Sequence, residues 1–280
     1  MSPQELVNQI SGVVSLPSFL SELDKAMNDP RCSLERVAEI ISGDIGLSVR
    51  LLKLVNSSFY AFPSPIDTIS RAVAVVGTKQ LRDLAFTTAV LGAFDLKAHQ
   101  ISLEKFWRHS IACGVVAKSI ATYRRDSDLE RYFLLGVMHD IGRLILFSEF
   151  PDKMDQALAQ AKEQKQLLGD VERAIFGFDH AQVGNALLKT WKLPNAHQEI
   201  VLYHHTPEKA FRYPVETTVI HLSDLIVNAL RLGNSGERFV PVLSPKVDEV
   251  LQLSVDALQS IIEHAENEYQ TVVKLFLKDI

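Results

Sequence analysis

From end to end, apolar residues in this chain return every three or four positions, and runs that alternate at a period of two are scarce. That spacing puts the apolar side chains on one face of an α-helix and gives no two-sided strand pattern. Leu20, Leu23 and Met27 follow Pro17, which suits a first helical turn; Val37, Ile40 and Ile41 follow Ser33, a good N-cap; Leu47, Leu51, Leu52 and Val55 repeat the spacing. Breaks at Pro63-Ser64-Pro65, Pro194, Pro207, Pro214 and from Gly233 to Gly236 divide the chain into helix-sized pieces. The fold class expected is all-α, with no internal repeat and no low-complexity tract.

With 280 residues, 47% of them hydrophobic, the chain can bury a substantial core as one large domain or two closely packed ones. A short polar stretch from Asp95 to Ser102 divides an N-terminal helical lobe, residues 1–97, from a helical core, residues 98–280, closed by a last helix from about Asp256 to Leu277. Its shortness argues for packed lobes rather than a flexible linker. The net charge is −5, and Lys and Arg are scattered, so nucleic acid is not an expected partner. Cys32 and Cys113 have no pairing pattern and the start MSPQELVNQI lacks an apolar signal core, which predicts a cytoplasmic location. The most apolar stretch, Ala72 to Phe94, is interrupted by Lys79, Arg82 and Asp83 and reads as buried or amphipathic helix, not a membrane span.

Set against this helical background are His109, the doublet His139-Asp140 in GVMHDIGRLI, His180, the pair His204-His205, and Asp224. Imidazole and carboxylate suit first-row transition ions, and a doublet can offer one side chain to one ion while its neighbour bridges to a second. Two ions about 3.5–4 Å apart are a known device for clamping and cleaving phosphoesters. His109 lies on the stripe Phe106, His109, Cys113, Val116, Ile120 of a helix starting at Ser102, so it points inward; a lone inward histidine is equally a hydrogen-bonded core residue. If the helix continues past His139-Asp140, Arg143 shares their face, either to hold a phosphate oxygen or to pair with Asp140. Asp179 precedes His180 at a helix start, with Gly184 one turn on. Adjacent His204 and His205 diverge by about 100° on a helix and meet one ion only at a bent end. Asp224, inside the apolar helix TTVIHLSDLIVNAL, is costly unless paired or bound to a cation, and His221 is a possible structural partner. His99, His197 and His264 sit in polar surroundings and are expected on the surface.

The order H…HD…H…HH…D from about Trp107 to Asp224 resembles the HD superfamily of metal-dependent phosphohydrolases. SLPSFLSEL, SLERVAEIISGDIGLSVRLLKLVNSSFY and AVAVVGTKQLRDLA, with WRHSIACGVVAKSIA, FGFDHAQVGNALLKTWKLP and YHHTP, extend the likeness over nearly the whole chain to the HDOD family, the HD-related output domain of bacterial signalling proteins. The resemblance implies His109, His139, Asp140 and Asp224 as ligands of one metal, Asp140 bridging, and His180, His204 and His205 completing a second. It implies two divalent transition ions, iron, manganese, nickel or zinc. Asp140 and Arg143 would be the catalytic residues of a phosphohydrolase acting on a phosphoester or cyclic nucleotide; as an HDOD module the chain would instead work through signalling proteins. The HD-GYP branch, which hydrolyses cyclic di-GMP, is similar in ligands, but HHTPEKAFRYP lacks its glycine-tyrosine-proline motif, Arg143 replaces its usual lysine, and Lys105 stands where a further carboxylate would support a third metal.

Overall fold

A computed structural model describes residues 1–10, 18–27, 29, 31–57, 59–60, 62–92, 94 and 101–277. Among them the regular structure is entirely helical. The N-terminal part comprises α1 (Pro3–Ile10), α2 (Ser18–Met27), α3 (Leu34–Ser42), α4 (Ile45–Val55), α5 (Ile69–Val76) and α6 (Thr78–Gly92). There follow α7 (Leu103–Arg124), α8 (Leu129–Met138), α9 (Ile141–Glu149), α10 (Pro151–Gln164), α11 (Leu168–Phe176), α12 (His180–Thr190), α13 (Asn195–Tyr203), α14 (Pro214–Leu230), α15 (Lys246–Leu251) and α16 (Val255–Leu277).

Local chemistry sets most of these boundaries. Ser33, Asp44, Thr68 and Ser102 each accept a hydrogen bond from the backbone N–H three residues on, satisfying a donor that the first helical turn leaves free. The apolar run Ala72 to Phe94 forms two helices rather than one, because Gly77 takes a φ of 97° between α5 and α6. No helix among the described residues is long and apolar enough to cross a membrane.

The centre of the molecule is α7, which is packed by α8, α14 and α16 and therefore buried along most of its length. Gly114 and Gly136 let α7 and α8 cross closely, since a Cβ on Gly136 would lie 2.5 Å from the Gly114 Cα. The N-terminal helices lean on this core at two places. α1 packs on α12, with Gln4 Nε2 donating to Thr190 Oγ1 at 3.1 Å. The segment after α4 brings Phe59 to 5.6 Å from the Phe133 ring, and Lys118 Nζ lies 3.6 Å over Phe59 and 3.4 Å from Glu130 Oε1. One cluster of buried apolar residues runs through both parts.

One open condition is settled and one expectation needs correction. The helix does not run through the His139-Asp140 doublet: α8 ends at Met138 and α9 starts at Ile141. His197 is not a surface residue but 3% exposed, because α13 packs on α8 and brings it against Asp24, Arg82, Phe86 and Leu134. His264 is exposed as expected, whereas Pro17, His99 and the stretch 95–100, with the lobe boundary placed there, lie outside the described residues.

Candidate metal centre

Each candidate ligand is placed by a helix or a helix end. His109 faces inward from α7; His139 and Asp140 occupy the break between α8 and α9; His180 is the first residue of α12. Asp179 caps α12 through a reciprocal capping box with Gln182, which fixes where His180 starts the helix. α13 ends at Tyr203, so His204 and His205 leave from a bent terminus and both turn inward. Asp224 projects from the middle of α14. A Cβ on Gly142 would stand 2.0 Å from the His180 carbonyl oxygen, so only glycine lets α9 and α12 bring Asp140 and His180 together.

All seven candidates converge, in two groups. In the first, His109 Nε2 lies 3.2 Å and His139 Nε2 3.6 Å from Asp224 Oδ1. In the second, His180 Nε2 lies 3.1 Å and His204 Nε2 3.7 Å from Asp140 Oδ1, with His205 Nε2 2.9 Å from His180 Nε2. Asp140 stands between them, its other oxygen, Oδ2, 3.4 Å from His139 Nε2 and 3.8 Å from His109 Nε2. The potential ligand atoms of each group lie within 4.8 Å of one another, and Cys113 joins the first.

The rings are held in one orientation. His139 Nδ1 donates to the Gly136 carbonyl and His204 Nδ1 to the Val201 carbonyl, both at 2.7 Å. His180 Nδ1 donates to Glu172 Oε2 at 2.5 Å. With Nδ1 committed, each ring turns Nε2 to the centre, the tautomer a metal ligand needs. His139 Nε2, His204 Nε2 and Asp140 Oδ1 are buried with no hydrogen-bond partner. A buried polar atom left unpaired costs about 1–3 kcal/mol, and here three of them face one small volume. Divalent cations in the two groups would satisfy all three, so the residues present fit a metal.

Electrostatics point the same way. Burial alone would raise the Asp140 carboxyl, but Arg143, His139 and His180 hold it well below its usual range. Asp224 is likewise held well down, against its burial, by His109 and His139. Burial pushes His204 and His205 downward, toward the neutral ligand form. For His139 the carboxylates of Asp140 and Asp224 outweigh burial and lift it to about 10, a measure of how strongly this place favours positive charge.

Arg143 is 1% exposed, and its Nη1 donates to Asp140 Oδ2 at 2.8 Å and to Ser235 Oγ at 2.7 Å, while Nε donates to Glu172 Oε1 at 3.3 Å. Nε and Nη1 are thus committed to holding Glu172 and Asp140, while Nη2 is buried without a hydrogen-bond partner. His221 is not the partner of Asp224; its Nδ1 donates to the His204 carbonyl at 2.8 Å, and Asn228 Nδ2 donates to Asp224 Oδ1 at 2.7 Å instead. The sequence reading missed Glu172, Asn228, Ser235 and Cys113. Only Cys113 carried a signal, since it shares the helical stripe of His109. The side chain of His205 is 24% exposed and lines a pocket of about 520 Å³ with Asp170, Arg173, Tyr203, Lys209 and Glu237.

The HDOD domain profile matches residues 13–207. The chain is 27% identical over 205 residues to an uncharacterized protein of Treponema pallidum (strain Nichols), a match that covers 71% of this chain and 39% of that protein. It therefore spans well under half the length of that relative. Among solved structures it is similar to an HDOD domain protein of unknown function from Geobacter sulfurreducens, with 26% identity, 98% of each chain covered and a TM-score of 0.78. The fold is also shared with a Shewanella amazonensis SB2B protein provisionally assigned as a metal-dependent phosphohydrolase, at 21% identity, 99% and 100% coverage and a TM-score of 0.67. With the profile matching most of the chain, and the same helices reproduced in a structure of that kind, this protein belongs to the HDOD domain family.

Proposed function

We propose that this chain is a signalling or regulatory HDOD protein that has kept a dinuclear metal centre. His109, His139 and Asp224 would hold one ion, His180, His204 and His205 the other, and Asp140 would give one oxygen to each. The observation that carries this is the convergence of Nε2 atoms whose Nδ1 partners are already fixed, around a carboxylate whose two oxygens face different groups. Arg143 and Glu172 then act as positioning residues. A regulatory role fits two features of the entrance. Arg143 is buried, with its Nε and Nη1 already committed to Glu172, Asp140 and Ser235, and Arg173 on the rim is tied to Asp170 and Asp179, which leaves the Lys209 side chain as the one unpaired cation among the described residues of that pocket.

The second reading, a phosphohydrolase acting on a phosphoester or cyclic nucleotide, rests on the pocket itself. Its volume of about 520 Å³ suits a small ligand, and its floor is His205. Bound ions would supply charge stabilisation for a phosphoryl group and activation of water. Lys209 would then orient the substrate and His205 would hold or pass a proton at the entrance.

One experiment separates the readings: elemental analysis and a bis-p-nitrophenyl phosphate assay on wild type and Asp140→Asn. Two ions per chain in the wild type without turnover supports the regulatory reading. Turnover lost together with metal in Asp140→Asn supports the hydrolase. A wild type that binds no metal after reconstitution overturns both.

A further inference from the structure

A second cleft, of about 720 Å³, lies between α10, the end of α14 and the segment 231–238 and shares Glu237 with the His205 pocket. Lys162, Arg231 and Arg238 line it, and all three are exposed. None has an ion-pair partner among the described residues. Most other arginines of this acidic chain are matched to a carboxylate, Arg36, Arg82, Arg108, Arg124, Arg131 and Arg173 among them. The one carboxylate that lines the cleft is turned to other work. Glu237 Oε2 accepts from the Leu168 N–H at 2.8 Å and Oε1 from the N–H groups of Arg238 and Phe239, and its side chain is 4% exposed. Gathered like charges with no counter-charge repel one another, and a multivalent anion removes that cost.

The segment 231–238 is a rigid partition between the two sides. Gly233, at a φ of 86°, sits so close to α7 that a Cβ would lie 2.2 Å from the His109 backbone nitrogen. Asn234 N donates to the Lys105 carbonyl at 2.9 Å. On the inner side Ser235 Oγ accepts from Arg143, and Glu237 Oε2 is 3.9 Å from Arg143 Nη2. Asn228, which lines the outer cleft, donates to Asp224.

We propose that this cleft is a second binding site, for a small multiply charged phosphate ligand of the pyrophosphate type, held by Lys162, Arg231 and Arg238.

The test is a titration of ¹⁵N-labelled protein with inorganic pyrophosphate, followed by amide resonances, on wild type, Arg231→Gln/Arg238→Gln and Asp140→Asn. The expected result is saturable shifts centred on residues 228–238, with a Kd weakened about tenfold or more in the double variant, as loss of two charge contacts implies, and unchanged in Asp140→Asn. Shifts centred on residues 139–143 that vanish in Asp140→Asn and survive in the double variant would place the anion in the inner site and overturn the proposal. So would the absence of saturation. Because the readout needs no bound metal, its failure leaves the metal centre standing, and a wild type without metal leaves the cleft standing.

Discussion

Glu172 shows how much of this centre lies one layer behind the candidate ligands. It accepts from both the backbone N–H and the Nδ1 of His180, at 2.9 and 2.5 Å, and is itself held ionised, against its burial, by His180 and Arg143. In the proposed dinuclear centre, Glu172→Gln should weaken one of the two ions by about 10–100-fold, read by competition with a chromogenic chelator; two wild-type affinities would rule out its positioning role. His197 gives a separate residue-scale expectation. Burial, then Arg82, Arg131 and Lys79, push it down to about 3, and its Nδ1 has no partner. The folded chain keeps it neutral while the unfolded chain protonates near its ordinary value of 6.5. Its contribution is therefore complete above that pH and lost as the pH falls toward 3, about 2 kcal/mol by pH 5. Urea midpoints measured from pH 7 to 5 should fall less steeply in His197→Gln than in wild type. Equal slopes would mean that His197 is solvated.

At the scale of elements, the crossing of α9 and α12 matters most. Gly142→Ala forces a methyl within 2.0 Å of the His180 carbonyl and 2.6 Å of the Gly184 nitrogen, so the two helices must part. The expected cost is about 1–3 kcal/mol of stability, with loss of the ion proposed to be held by His180 and Asp140, seen as a lower urea midpoint and a lower metal content. A variant with both unchanged would show that the crossing has slack. The helices themselves were legible because apolar spacing, caps at Ser33 and Ser102 and the Asp179 start are local signals, and all three caps form. The break at His139-Asp140 was not legible, since no proline or glycine marks it; closure of the two groups around Asp140 accompanies it. His197 was misplaced for a related reason. Its neighbours in sequence are polar, but its surroundings come from α6 and α8, which only tertiary packing supplies. The candidate ligands were picked out through family resemblance, and the fold brings them together, whereas Glu172, Asn228 and Ser235 belong to no periodic pattern and reach the centre only through the fold.

At the scale of the whole molecule, candidate ligands spread from His109 to Asp224 meet only when helices from across the chain have packed, with α7 at their middle. The core is continuous from α1 to α16, so the centre is enclosed on nearly every side. His109, His139, His180 and His204 are at most 1% exposed, and His205 alone of the candidate histidines reaches solvent. That single opening sets an order of traffic. In the proposed dinuclear centre an ion beside His205 would come and go through the pocket, while one between His109 and His139 would have to pass its neighbour or await opening of the fold. Replacement by an enriched isotope should therefore proceed in two kinetic phases of equal amplitude, the first ion to arrive being the last to leave; a single phase would mean that both ions have their own path to water.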